Sequence, residues 1–242
     1  MKKLIALLGF FFLSGTYAWS QAPNYDDLII LFADANYKKL ISEATKYTLK
    51  DDTKNDPLPY LYLSKGLYAI SQQGDKDPVY KNAYRESIGA LGKFIKKDKK
   101  NEVQGEHSEY IEQIKATIVE SIHNELELKT YKKVSSLVNN YFKIKAGDTG
   151  GKLLEAASKY RDNDKSTANL LWKEFEKKLL EMTDVSGLSE SDLDMLRMGI
   201  CESAECFVHS KQIPRAQALL NKGKELIGDD EEFMERYNQL MN

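Results

Sequence analysis

A glycine-rich segment, residues 146–152, contains the most suggestive pattern for chemistry in this chain and reads AGDTGGK. Glycines followed by a lysine are typical of loops that bind the phosphate groups of nucleotides. However, only three residues separate Gly147 from Gly151, and Leu153 stands where such a loop needs serine or threonine to bind magnesium. We therefore interpret the segment as a turn that ends one helix and starts another.

An acidic segment, residues 162–166, resembles the beginning of a calcium-binding loop. Thr167 occupies the position that demands glycine, and Lys173 occupies the position that demands a bidentate acid. We therefore interpret the segment as a turn between two helices, in which Asp164 or Ser166 caps the second helix. The three histidines are far apart in sequence and lack the spacing of a zinc site, so we expect them in turns or facing solvent: His107, His123 and His209.

Two cysteines, Cys201 and Cys206, form the one possible disulfide pair. They lie in a stretch of helical composition, residues 192–209, and Ser189 with Asp192 predicts a capping box at the start of this helix. On a helix, a five-residue step turns the side chains roughly 140° apart and places the Cα atoms about 8 Å apart. That separation exceeds disulfide reach, so two free and buried thiols are predicted. No spacing among the 37 acids singles out a catalytic pair. The sequence therefore predicts no catalytic residue, no cofactor and no metal, and we assign no enzymatic activity.

The charge balance argues against polyanionic partners. The chain has 35 Lys and Arg against 37 Asp and Glu, a formal charge of −2, which gives no broad electrostatic basis for binding nucleic acid or anionic membranes. The strongest basic run is interpreted as a solvated helix end, because lysines complement the negative pole of a helix and Asp98 and Glu102 dilute the charge. This run comprises Lys93, Lys96, Lys97, Lys99 and Lys100.

The N-terminal residues have the form of an export signal. Lys2 and Lys3 precede ten uncharged residues, 4–13, which span only about 15 Å as a helix and are too short for a bilayer core of about 30 Å. Small residues at Ala18 and Ser20 predict cleavage after Ser20, which leaves a mature chain of charge −4. The segment resembles the signals of Gram-negative bacteria of the Bacteroidetes type. We expect a periplasmic or secreted protein without membrane insertion; an uncleaved anchor is the alternative.

Pairs of helices recur along the mature chain. Small residues alternate with large apolar ones at helical spacing, and every proline after the signal falls where a helix would begin. The two clearest pairs share this pattern on both helices: Leu153, Ala157, Tyr160, Ala168, Trp172 and Phe175, then Ile200, Ala204, Phe207, Ala216, Leu220 and Gly223. Aligning the second helices gives steps of 47, 47, 34 and 48 residues between Leu40, Ser87, Val134, Ala168 and Ala216. The helix that carries Ser87 is expected to span residues 80–97.

This pattern resembles the tetratricopeptide-repeat (TPR) family, whose unit is 34 residues. The resemblance implies an all-α fold: a right-handed α-α superhelix of about five TPR-like helix pairs with a capping helix at residues 229–242. A more irregular helical array is the alternative, because three of the four steps are longer than 34 residues. In either case we expect residues 1–20 to form a cleaved signal peptide and residues 21–242 to form a single domain. We expect this domain to be monomeric, because an acidic capping helix opposes the stacking of one array end on another.

In the TPR family the first helix of each pair lines a concave groove, and the resemblance implies a partner-binding site there. It places along the groove Tyr60, Leu63, Leu67, Leu154, Ser158, Arg161, Cys201 and Glu205. The helix around residues 60–70 is apolar on every face, which equally predicts a helix covered by its neighbours. The expected function is non-catalytic binding of a peptide or an envelope-protein segment. The alternative is an enzyme, or an enzyme subunit, that acts on an envelope polymer through carboxylates assembled by the fold.

Overall fold

The computed structural model describes residues 23–74 and 77–241, so the predicted export signal lies outside the described residues. The described part is all-α, as predicted, with eleven α-helices and two short 3-10 helices, Pro78–Tyr80 and Gly105–His107. The α-helices are α1 Asp26–Ala33, α2 Tyr37–Leu49, α3 Leu58–Gln72, α4 Ala83–Lys97, α5 Ser108–Glu127, α6 Tyr131–Ile144, α7 Thr149–Arg161, α8 Lys165–Glu181, α9 Glu190–His209, α10 Ile213–Ile227 and α11 Glu231–Met241. No helix in the described ranges combines the length and apolar character needed to cross a bilayer.

Successive helices pack as pairs. Helix α1 packs on α2, α3 on α4, α5 on α6, α7 on α8 and α9 on α10, while α11 closes against α9 and α10. The five positions aligned from the sequence in the second helices are all buried, which confirms that these helices present the same face to the core. Helix α5 also contacts α9 directly, so the packing is not confined to nearest neighbours in the chain.

Four of the pairs share one turn geometry. A single residue with positive φ follows the first helix, and the next residue donates its amide hydrogen to the carbonyl oxygen five positions earlier, at 2.8–2.9 Å. This is the Schellman arrangement, which satisfies carbonyl groups that the helix end leaves unpaired. The positive-φ positions are Ala35, Lys129, Asn163 and Lys211, and none of them is glycine.

Replacing the first of these residues with glycine should stabilise the protein. A left-handed conformation costs an L-residue about 1–2 kcal/mol, so we expect Ala35→Gly to raise the free energy of unfolding by about 0.5–1 kcal/mol. Ala116→Gly is the control with the opposite sign, because Ala116 is exposed in the middle of α5 and glycine there costs about 1 kcal/mol. Urea unfolding measures both; equal losses would contradict the turn geometry.

The turns that resemble ligand loops in sequence are helix caps. Asp148 accepts a hydrogen bond from the amide of Gly151 at 2.7 Å, and Asp164 accepts one from the amide of Thr167 at 3.2 Å. Both side chains therefore satisfy amides that the helix start leaves unpaired. These contacts confirm that the two segments are turns between helices.

The predicted start of one helix is wrong. The sequence suggests a continuous helix over residues 80–97, whereas a 3-10 turn covers Pro78–Tyr80 and α4 begins only at Ala83. The physical reason is local, because the carboxylate of Asp77 accepts a hydrogen bond from the amide of Val79 at 3.0 Å and closes a separate tight turn.

Helices α7 and α9 approach each other more closely than side chains would allow. A Cβ atom added to Gly199 would lie 2.1 Å from the carbonyl oxygen of Gly150, and one added to Gly150 would lie 2.4 Å from the Cα atom of Leu196. The two glycines therefore permit backbone contact between α7 and α9. Beside this contact, the indole of Trp172 donates a hydrogen bond to Ser203 Oγ at 2.8 Å and its ring packs 4.5 Å from that of Phe207.

Candidate functional site

The structure separates the predicted groove residues into two groups. Tyr60, Leu63 and Leu67 lie on α3, which packs against α1, α2 and α4; Tyr60 and Leu67 are buried, and Leu63 is half-buried among apolar residues of the N-terminal helices. The Tyr60 hydroxyl is occupied, since it donates a hydrogen bond to the carbonyl oxygen of Lys54 at 2.9 Å. The apolar pattern of α3 thus reflects a helix covered by its neighbours.

The second group lies around a cleft farther along the chain. Leu154 and Ser158 are buried in α7, whereas Arg161, Cys201 and Glu205 line a cavity of about 400 Å³ that we call the central cleft. Its walls come from α5, α7, α9 and α11, with Tyr131 of α6 at one side. The ionisable residues that line it, apart from Cys201 and Tyr131, are His123, Glu127, Lys129, Arg161, Arg197, Glu202, Glu205, Glu232 and Arg236.

Arg161 connects α7 to α9 across this cleft. Its guanidinium pairs with Glu202 and, at 3.1 Å, with Glu205, and it lies 5.1 Å from the ring centre of Tyr131. Arg236 of α11 reaches the same Glu205 carboxylate at 2.8 Å. Two arginines therefore hold a pair of glutamates that are one helical turn apart on α9.

The surroundings of Glu205 set its protonation. Burial alone would raise the pKa of this carboxyl, but Arg161 and the hydrogen bond from Arg236 outweigh burial and lower the pKa below its ordinary value. A general acid at neutral pH needs a raised pKa. Glu205 is therefore built to stay ionised and to fix the arginines in place.

A second arginine network joins α9 to α11. Arg197 contacts Asp194 at 2.6 Å, Asp230 at 3.0 Å and Glu232 at 3.1 Å. Its side chain is only 13% exposed, so these pairs are shielded from solvent more than surface ion pairs are. The network fixes the C-terminal helix as one wall of the central cleft.

The two cysteines are unreactive in these surroundings. Both lie in α9 as free and buried thiols, which confirms their predicted burial. Burial raises the pKa of Cys201 to about 12 and that of Cys206 to about 11. Because the thiolate is the nucleophilic form, neither thiol is activated for covalent chemistry, although Cys201 lines the central cleft.

A second concavity continues from the central cleft, and His123 lines both. It has a volume of about 680 Å³ and lies between α5 and the start of α9. No lysine or arginine in the described part of the chain lines it, and its floor includes Ala116 and Val119. We call it the acidic groove after its acids, which are Glu109, Glu112, Glu120, Glu190 and Asp194.

Sequence reasoning could not find the acidic groove, because it needs α5 and α9 side by side. The contact that sets this arrangement joins the amide of Ser191 to the Glu112 carboxylate at 2.8 Å, across 79 positions of the chain. The pattern of each helix reveals which of its faces is buried but not which distant helix covers that face.

A buried ionic cluster lies at the junction of α5, α6, α7 and α9. Asp192 Oδ1 lies 2.7 Å from Lys115 Nζ, and its Oδ2 lies 2.7 Å from Lys145 Nζ, while the Tyr141 hydroxyl also donates to this carboxylate. Burial would raise the pKa of Asp192, but these donors outweigh burial and hold the pKa far below its usual range. The capping box of Ser189 and Asp192, predicted from the sequence, is present at this junction.

No three histidine, cysteine, aspartate or glutamate side chains within the described ranges are grouped to hold a metal ion. No protein-family model, curated protein or solved structure matches this chain.

Proposed function

We propose that this protein is an exported, non-catalytic interaction module that holds a peptide or a segment of another envelope protein in the concave surface formed by its first helices. One observation carries the proposal: the central cleft and the acidic groove adjoin at His123, and together they make a concave path lined mainly by α5, α7, α9 and α11. An extended groove along first helices is the binding surface that helical arrays offer.

We further propose that the helices form a TPR-like superhelix. The shared turn of four helix pairs and the burial of the five aligned positions support this arrangement. The direct contact of α5 with α9 makes the array irregular at the place where the groove lies. Such a departure from nearest-neighbour stacking brings two first helices close enough to form the walls of one groove.

Within the central cleft, the pKa of Glu205 favours binding over catalysis. The alternative function, an enzyme or enzyme subunit acting on an envelope polymer, needs carboxyl groups with pKa values moved apart, one of them upwards. In the central cleft Glu202 and Glu205 are both paired with arginines, and the pKa of Glu205 is lowered despite its burial. Fixed ion pairs of this kind shape a recognition surface instead.

Export can be tested by the mass of the processed protein. In a Gram-negative host of the Bacteroidetes type, we expect the mass of the periplasmic or secreted form to correspond to a chain that begins at Gln21. Replacing a small residue read by the peptidase, as in Ala18→Arg, should leave the full-length precursor, whereas the conservative change Ala18→Ser should not. Recovery of a membrane-bound form that retains residues 4–13 would contradict export by cleavage.

The binding role is tested with a charge-swapped cleft. Glu127 and Lys129 are exposed at its rim, so Glu127→Lys combined with Lys129→Glu alters the local charge pattern and keeps the net charge. The matched control, Lys177→Glu with Glu181→Lys, reverses an exposed pair on α8, away from the groove. Tagged mature proteins are used to capture partners in the native envelope, and circular dichroism checks that both variants keep their helices.

We expect a partner that the wild type and the α8 variant capture and that the cleft variant loses. Equal capture by both variants would place the interface on another face and overturn the groove. If the folded wild type captures no partner, the interaction role itself is overturned and the enzyme alternative gains weight.

A further inference from the structure

The acidic groove differs from the central cleft in how its charges are balanced. In the cleft, Glu202 and Glu205 lie against arginines. In the groove, Glu109, Glu120 and Glu190 are exposed and make no hydrogen bond or ion pair with another described side chain. The chain therefore pairs the two α9 glutamates of the cleft with arginines and leaves these three glutamates of the groove uncompensated.

The remaining acids of the groove do not remove this imbalance. Glu112 pairs with Lys115 at 2.9 Å, and Asp194 pairs with Arg197 at 2.6 Å. However, Lys115 also pairs with Asp192 and Arg197 also pairs with Asp230, and neither of these two acids lines the groove. Burial, with smaller contributions from nearby acids, raises the pKa of Asp194 even though Arg197 lowers it. The groove thus holds excess negative charge beside an apolar floor, an arrangement that complements a cationic side chain with an apolar stem.

We propose, on the basis of the interaction role above, that the acidic groove binds a lysine- and arginine-rich segment of the protein partner. The methylene stems of the basic side chains lie on Ala116 and Val119. Their charged ends pair with Glu109 and Glu120 on the α5 side and with Glu190 on the α9 side. Complementary charge of this kind accelerates association and selects the partner more than it adds affinity.

The proposal is tested by fluorescence anisotropy with the mature protein, residues 21–242. The probe is a labelled peptide of about twelve residues that alternates lysine and alanine and spans about 40 Å when extended. Peptides with glutamate or glutamine in place of every lysine are the comparison probes. The groove variant carries Glu109→Gln, Glu120→Gln and Glu190→Gln, and the matched control carries Glu174→Gln, Glu181→Gln and Glu225→Gln at exposed positions of α8 and α10.

We expect the lysine peptide to bind the wild type and the control alike and to lose about tenfold in affinity with the groove variant. Binding should also fall sharply at about 1 M salt, where the Debye length is about 3 Å. Equal affinity for the groove and control variants, or equal binding of the glutamate peptide, would overturn the cationic partner.

Capture of the envelope partner by the cleft variant and by the groove variant distinguishes this inference from the proposed function. If that partner is lost by the cleft variant but kept by the groove variant, the interaction role stands and the cationic segment is overturned. If the wild type captures no partner and binds no lysine peptide, both are overturned.

Discussion

Asp192→Asn is expected to lower the free energy of unfolding by about 3 kcal/mol. The carboxylate of Asp192 is the shared partner of Lys115, Lys145 and the Tyr141 hydroxyl, and Lys115 is only 5% exposed. Removing one member of a buried ion pair leaves an uncompensated charge, which costs about 3–5 kcal/mol. The lower end of this range applies because Lys115 retains its ion pair with Glu112 and Lys145 retains its ion pair with Asp148.

The same substitution should alter the acid sensitivity of the fold. The folded pKa of Asp192 is lowered, so its contribution to stability is complete above the unfolded value of about 4 and is lost as the pH falls towards the folded value. The wild type should therefore lose stability below about pH 4 more steeply than Asp192→Asn does. Asp148 acts with the opposite sign because burial raises its pKa, and the charge of Asp192 raises that pKa further. The difference between the two proteins therefore reports Asp192 together with its effect on Asp148.

Urea unfolding measured from pH 7 down to about pH 3 follows both effects. Asp229→Asn is the control, since Asp229 is exposed in the turn before α11 and should change stability by less than about 0.5 kcal/mol. A loss below about 1 kcal/mol for Asp192→Asn at pH 7 would show that the ionic cluster does not fix the junction of α5 with α9.

Local patterns predicted the helices well because their signals lie within a few residues of each other. The helix carrying the cysteines was predicted from Asp192 to His209, and α9 spans Glu190–His209, with the predicted capping box at its start. Aligned small and apolar residues identified the buried face of each second helix. These features depend on spacing along one helix, which the sequence records directly.

The concave path was harder to predict because it depends on contacts between distant segments. Arg161, Cys201 and Glu205 were placed together through their positions in the repeat, and they do line one cleft. The same reasoning placed Tyr60 and Leu67 in the groove, yet α3 is covered by its neighbours and buries both side chains. The acidic groove and the cluster around Asp192 gave no signal at all, since Lys115 and Asp192 meet only when α5 reaches α9.

Gly199→Ala is expected to lower the free energy of unfolding by about 2 kcal/mol. A Cβ atom at Gly199 would lie 2.1 Å from the carbonyl oxygen of Gly150, and backbone cannot rotate away as a side chain can. Overpacking costs about 1–3 kcal/mol, and the upper end applies here because the obstructing atom is backbone. The gain of about 1 kcal/mol that alanine brings to a helix offsets part of this cost and leaves a loss of about 2 kcal/mol. The helices α7 and α9 would have to separate.

Gly89→Ala is the matched control, because no atom outside its own helix lies within 4 Å of the Cβ position at Gly89 in α4. There the same change should raise the free energy of unfolding by about 0.5–1 kcal/mol, so the two variants are expected to shift the urea midpoint in opposite directions. A stabilising effect of both would contradict the backbone contact. Since Arg161 on α7 pairs with Glu202 on α9, separation of the two helices should also weaken the partner binding that we propose for the central cleft.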